Sequence, residues 1–152
     1  MKKILIFFFA ITAISFVSCS KVDDREQFVG TYSVDATGSA TAYAYGESLT
    51  IPFDASNEPM TITKSSNNET EVIVSGFFNG TAIVVGNSIQ FESFSETATE
   101  QGMTMVVDFN VRKGSLNGNV LTFRIDVSGN IYYEGSTFPL SGSISSIATK
   151  QN

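Results

Sequence analysis

Met103-Thr104-Met105-Val106-Val107-Asp108-Phe109-Asn110-Val111-Arg112 is the stretch that decides the fold. Met103, Met105, Val107, Phe109 and Val111 recur at every second position, with Thr104, Asp108, Asn110 and Arg112 between them; only Val106 breaks the polar register. Successive side chains of an extended chain point to opposite faces, so this pattern describes a strand with one dry and one wet face, as in antiparallel sheet. Leu121, Phe123, Ile125 and Val127 repeat it against Thr122, Arg124, Asp126 and Ser128. Between the two runs, Asn117-Gly118 supplies a turn signal that predicts a hairpin.

The same reading extends in both directions. Leu49, Ile51 and Phe53 alternate ahead of a turn expected around Ser56-Asn57-Glu58-Pro59, and Met60 to Thr63 is a short strand. Glu71 to Ser75 and Thr81 to Val85 flank a turn at Phe78-Asn79-Gly80, and Ile89 and Phe91 open another strand. Ser95 to Gln101 reads as a polar loop. Phe138, Leu140, Gly142 and Ile144 alternate with Pro139, Ser141, Ser143 and Ser145 near the end. The expectation is an all-β chain of about 8–10 strands, an antiparallel meander β-barrel, with a β-sandwich as the alternative.

Composition limits the chemistry. The 152 residues are room for one domain, and 42% hydrophobic with 16% charged residues is a globular balance. There is no histidine and one cysteine. That excludes Ser-His-Asp and Cys-His catalysis, His-ligated or Cys-rich metal sites, and an intramolecular disulfide. Asp108 and Asp126 are the nearest thing to the paired carboxylates of a glycosidase, but both fall on the wet face beside Arg112 and Arg124. Asp23, Asp24 and Glu26 lack the spacing and turn glycine of a calcium loop and read as a flexible acidic tether. No Gly-x-Ser-x-Gly elbow or phosphate-cradling loop occurs. The expected function is non-catalytic, with no cofactor and no metal.

The amino terminus has its own logic. Lys2 and Lys3 precede Ile4 to Val17, an apolar run too short to span a bilayer and right for an export signal. Phe16-Val17-Ser18-Cys19 resembles the lipobox of bacterial lipoproteins, with Phe16 where leucine is usual. The resemblance implies that residues 1–18 are a lipoprotein signal peptide and that Cys19 carries the lipid. Ser20 to Glu26 is similar to the Lys-plus-acidic tether of Bacteroidetes surface lipoproteins, which implies attachment to the outer membrane, facing the cell surface or the periplasm. Residues 19–27 are then a lipidated acidic tether and 28–152 a single barrel domain. Loss of the signal removes two of nine basic residues and none of 15 acidic ones, so a chain already at −6 becomes more acidic. Such a surface has no footprint for nucleic acid. Membrane contact would come through the lipid.

Phe28-Val29-Gly30-Thr31-Tyr32 resembles the opening strand of lipocalin-like (calycin-like) lipoprotein domains, with Tyr32 in place of the usual tryptophan. The resemblance implies a barrel with an internal ligand site. From the residues, the face shared by Tyr32 and Val34 continues as Ala36, Gly38, Ala40, Ala42 and Ala44, a row too small to fill a barrel interior. Either neighbouring strands lean in, or the space is open to a small apolar ligand lined by Tyr32, Ala40, Phe91, Met103, Met105, Phe109 and Phe123. A second class stays open beside it, a surface module that binds glycan or protein through exposed aromatics. Its candidates are Tyr43 and Tyr45, expected on one face of the first strand, with Tyr132 and Tyr133.

Overall fold

The computed structural model describes residues 22–151. The signal segment, Cys19 and the first tether residues lie outside them. A one-turn 3-10 helix, Asp24–Gln27, is followed by ten strands. They are β1 Gly30–Ala44, β2 Glu47–Lys64, β3 Glu71–Gly76, β4 Gly80–Val85, β5 Ser88–Phe91, β6 Phe94–Glu100, β7 Met103–Val111, β8 Gly114–Asn117, β9 Val120–Tyr133 and β10 Ser136–Lys150.

All pairings are antiparallel, in the order β10-β1-β2-β3-β4-β5-β8-β9-β7-β6, and β9 pairs back onto β10, closing a ring. The all-β antiparallel expectation holds. Closure is complete only at one end, and strand length is the reason. β3, β4 and β5 have 6, 6 and 4 residues, whereas β1, β2, β9 and β10 have 15, 18, 14 and 15. At about 3.3 Å per residue, roughly 20 Å of short strand stands beside roughly 50 Å of long strand. Only Met60–Lys64 of β2 reaches β3, and Glu47 to Ala55 pairs with β1 alone. β9 divides in the same way, Val120–Thr122 pairing β8 and Ile125–Tyr132 pairing β7. Beyond the ring, the strands β6-β7-β9-β10-β1-β2 run on as an open curved sheet made of three hairpins.

Those hairpins turn on the same chemistry. Tyr45-Gly46, Gln101-Gly102 and Glu134-Gly135 each place both residues at positive φ, the two-residue type I′ turn that matches strand twist. At the closed end, Met60, Ile62, Val72, Val74, Ile89 and Leu121 are wholly buried beneath Phe28 and Tyr32. The Tyr32 hydroxyl donates to the Phe28 carbonyl at 2.7 Å, and burial pushes its phenol up to about 12. Ser146 Oγ is buried there with no partner among the described residues.

Four local expectations change. Ser95 to Gln101 is not a loop: Phe94–Glu100 is β6, paired with β7, and its polarity reflects a strand wet on both faces. The turn expected at Ser56-Pro59 is a bulge inside β2, where the register against β1 slips between Val34 and Ala36 and Asn57 takes φ 58°. β7 and β9 do pair, but the Asn117-Gly118 turn joins β9 to β8, because Arg112-Lys113 breaks the incoming strand. The acidic stretch is not free of the fold. Asp23 caps the 3-10 turn, accepting from the Arg25 amide at 3.1 Å and from its guanidinium at 2.9 Å. Arg25 in turn donates to the carbonyls of Ser65 and Asn68, fastening this segment to the β2–β3 loop.

Candidate functional site

The inner face of the open half puts small residues at its centre and large ones on its flanks. On β1, Gly38, Ala40 and Ala42 face inward, opposite Ile144, Gly142 and Leu140 on β10. A methyl on Gly142 would lie 2.1 Å from the Ser39 carbonyl oxygen, and one on Gly38 would lie 2.1 Å from that of Ser143. Only glycine lets β1 and β10 approach this closely, and the same small residues leave room above the sheet.

The room is a hollow of about 190 Å³ between Ala40, Ile51, Phe53, Met105, Phe109, Val127, Leu140 and Ile144. A second hollow of about 370 Å³ shares Phe53, Phe109 and Ile144 with it and continues towards Phe77, Phe78, Phe94 and Glu96. Together they form one groove between the free edges of β2 and β6, apolar against β1 and β10 and partly polar towards Asn79 and Glu96. Phe94 stacks on Phe109 at 4.8 Å and on Phe78 at 5.8 Å, giving that end a wall of parallel rings. On the β2 side of the same face, Leu49, Ile51 and Phe53 are 63%, 41% and 38% exposed, so the described chain covers them only in part.

The sequence-predicted ligand residues fall into four places. Ala40, Met105 and Phe109 meet in the groove. Met103 lies at the rim beside Tyr133, and both are about two-fifths exposed. Phe91 and Phe123 sit in the packed ring beneath, touching Phe78 at 5.3 and 6.0 Å, and Tyr32 is buried at the far end. Period-two alternation tells which residues point inward but not how far along the barrel they stand. Ile51, Phe53, Val127, Leu140 and Ile144 were legible as inward-facing and were not joined to the site, because their strands had not been assigned to its level.

The four tyrosines do not make one patch. β1 ends at Ala44, and Tyr45 in the turn folds over Phe138 with ring centroids 5.1 Å apart instead of sharing a face with Tyr43. Tyr43 and Tyr132 stand on the outer face with β10 between their strands, and Tyr133 belongs to the inner rim. The carboxylates also stay apart in role. Asp108 accepts from Ser95, and Asp126 pairs with Arg112 and, at 3.4 Å, Arg124. A larger depression of about 450 Å³ lies at the other end, beside Asp23, Arg25 and Thr70, where the charged groups bond one another.

Neither family models, nor curated proteins, nor solved structures give a match to this chain.

Proposed function

We propose that the chain is a non-catalytic lipoprotein of the outer membrane, anchored through Cys19, that holds a small apolar ligand in the open half of a lipocalin-like barrel. The groove carries this reading, since its narrower hollow is an apolar concavity in a sheet whose other end is packed with side chains. The anchor is supported by the sequence around Cys19. The docked Asp24–Gln27 turn lies at the closed end, so an anchor there would leave the groove at the membrane-distal end.

The rival reading is a surface module that docks protein or glycan, favoured by the exposure of Tyr43 and Tyr45. Addition of a partner strand is opposed by the edges themselves. The two-residue turn makes Ala44 and Glu47 a hydrogen-bonded pair, so alternate residues Thr50, Pro52 and Asp54 turn their backbone to the free edge of β2. Pro52 offers no donor there, and β6 points Glu96 and Glu100 inward.

Fluorescence of N-phenyl-1-naphthylamine tests the reading. The parent protein is expected to bind this uncharged probe, and Ala40→Leu to abolish binding while changing stability by less than about 1 kcal/mol. A filled site would instead lose about 1–3 kcal/mol from overpacking. No binding by the parent protein would favour the surface module.

A further inference from the structure

Resting on the ligand-binding reading above, we infer that the groove takes a cationic amphiphile, an apolar tail with an ammonium-type head, and not an anionic lipid or fatty acid. The observation is the confinement of basic residues to one end of the sheet, whereas acidic residues occur at both. Every basic residue of the described chain belongs to the closed end or to the level where the ring ends: Arg25, Lys64, Arg112, Lys113, Arg124 and Lys150. The three hairpins above that level contain none. They carry Glu47, Glu96 and Glu100 on the inner face, Asp108 on the outer face and Glu134 in a turn. A carboxylate or phosphate head would meet only like charge there, in a concavity whose apolar walls concentrate the field.

Inside the groove the preference has a definite position. Phe94, Glu96, Ala98 and Glu100 alternate inward on β6, and Glu96 opposes Val107 of β7. Glu96 is the only charged side chain lining either hollow, and the phenylalanines Phe53, Phe77, Phe78, Phe94 and Phe109 line the same space. Phe94 is stacked between Phe78 and Phe109, so its faces are taken by other rings and the Glu96 carboxylate is the group left to meet a head group. The narrower hollow against Ala40, Ile51 and Leu140 has no charged lining and suits the tail.

Displacement of N-phenyl-1-naphthylamine by decylammonium, decanol and decanoate separates head from tail. Decylammonium is expected to displace the probe at about fivefold lower concentration than decanol, the upper range for a single exposed ion pair, and decanoate to be weakest. Glu96→Gln should bring the amine within about twofold of the alcohol, and Glu96→Lys should reverse the order of amine and carboxylate. Glu96 is exposed, so both variants keep the fold, and probe binding by each confirms it. Equal displacement by all three compounds, a preference for decanoate, or an amine preference untouched by Glu96→Gln would overturn the inference and leave the apolar groove standing. Failure of the parent protein to bind the probe at all would overturn the ligand-binding reading, and this inference with it.

Discussion

At the closed end of the sheet, Met60, Ile62, Val72 and Leu121 are wholly buried, while at the open end Leu49, Ile51 and Phe53 point to the same inner side and remain well exposed. The side chains are of one kind; their neighbours differ. A strand buries its inward residues only when strands across the barrel face them, and β3, β4 and β5 stop short. Exposed apolar surface at the open end therefore follows from strand length and not from polar substitution along β2. A sheet that protected only its edges, with Pro52 and inward Glu96, and left its face apolar is arranged to avoid strand addition while keeping a concavity.

The largest expected effect tests whether the two ends differ as described. Leu121→Ala in the ring should lower stability by about 2–5 kcal/mol, from lost burial plus the cavity left behind. Leu49→Ala in the open half should lower it by about 1 kcal/mol or less, because most of that side chain already meets water. Urea denaturation of both variants measures the difference. Equal losses would mean that the open half is covered in solution and the contrast is false.

The contrast also explains what the sequence could and could not disclose. Strands with one dry face were legible from alternation, as Met103 to Val111 and Leu121 to Val127 show. β6 was not, since its outward Ser95, Thr97 and Thr99 and its inward Glu96 and Glu100 leave no apolar period to read. The bulge was misread because Asn57 and Pro59 are turn residues by type; here Asn57 absorbs the register slip, and the Pro59 carbonyl accepts from the Phe77 amide at 2.8 Å. The small-residue row pointed to the groove, yet its height along the barrel depends on which strands are short, a property of pairing across the whole chain. Docking of the acidic segment was hidden for a related reason: the carbonyls that receive Arg25 lie 40 and 43 residues away.

A middle-sized effect sharpens the account of the small residues, which either let β1 and β10 approach closely or merely leave space. Gly142→Ala places a methyl 2.1 Å from the Ser39 oxygen and 2.5 Å from the Ala40 Cα, so backbone must move, and about 1–3 kcal/mol should be lost. Gly80→Ala, whose added methyl meets nothing within 4 Å, should be nearly neutral. If Gly142→Ala is equally neutral by thermal denaturation, the close approach of β1 and β10 is not a constraint, and the row of small residues serves the groove alone.

The smallest effect concerns the fastening of the chain to the closed end, and it depends on pH. The guanidinium of Arg25, and then the Lys64 ammonium, hold the Asp23 carboxyl well below the usual carboxylate range. A group whose value is depressed by folding adds stability above its unfolded value, near 3.9, and loses it as pH falls through the folded value. The ion pair should therefore persist as the medium is acidified through the ordinary carboxylate range, and the segment should loosen only below it. The Asp23 carboxyl carbon shift reports this directly, with a midpoint clearly below those of exposed carboxylates. At neutral pH, Asp23→Asn removes the charge while Arg25 keeps its carbonyl partners at Ser65 and Asn68. Global stability should hardly change, but trypsin should cut after Arg25 several-fold faster, because the segment opens locally more often. Unchanged cutting, together with an ordinary midpoint for Asp23, would show that the carbonyls alone fasten the segment and that the ion pair is incidental.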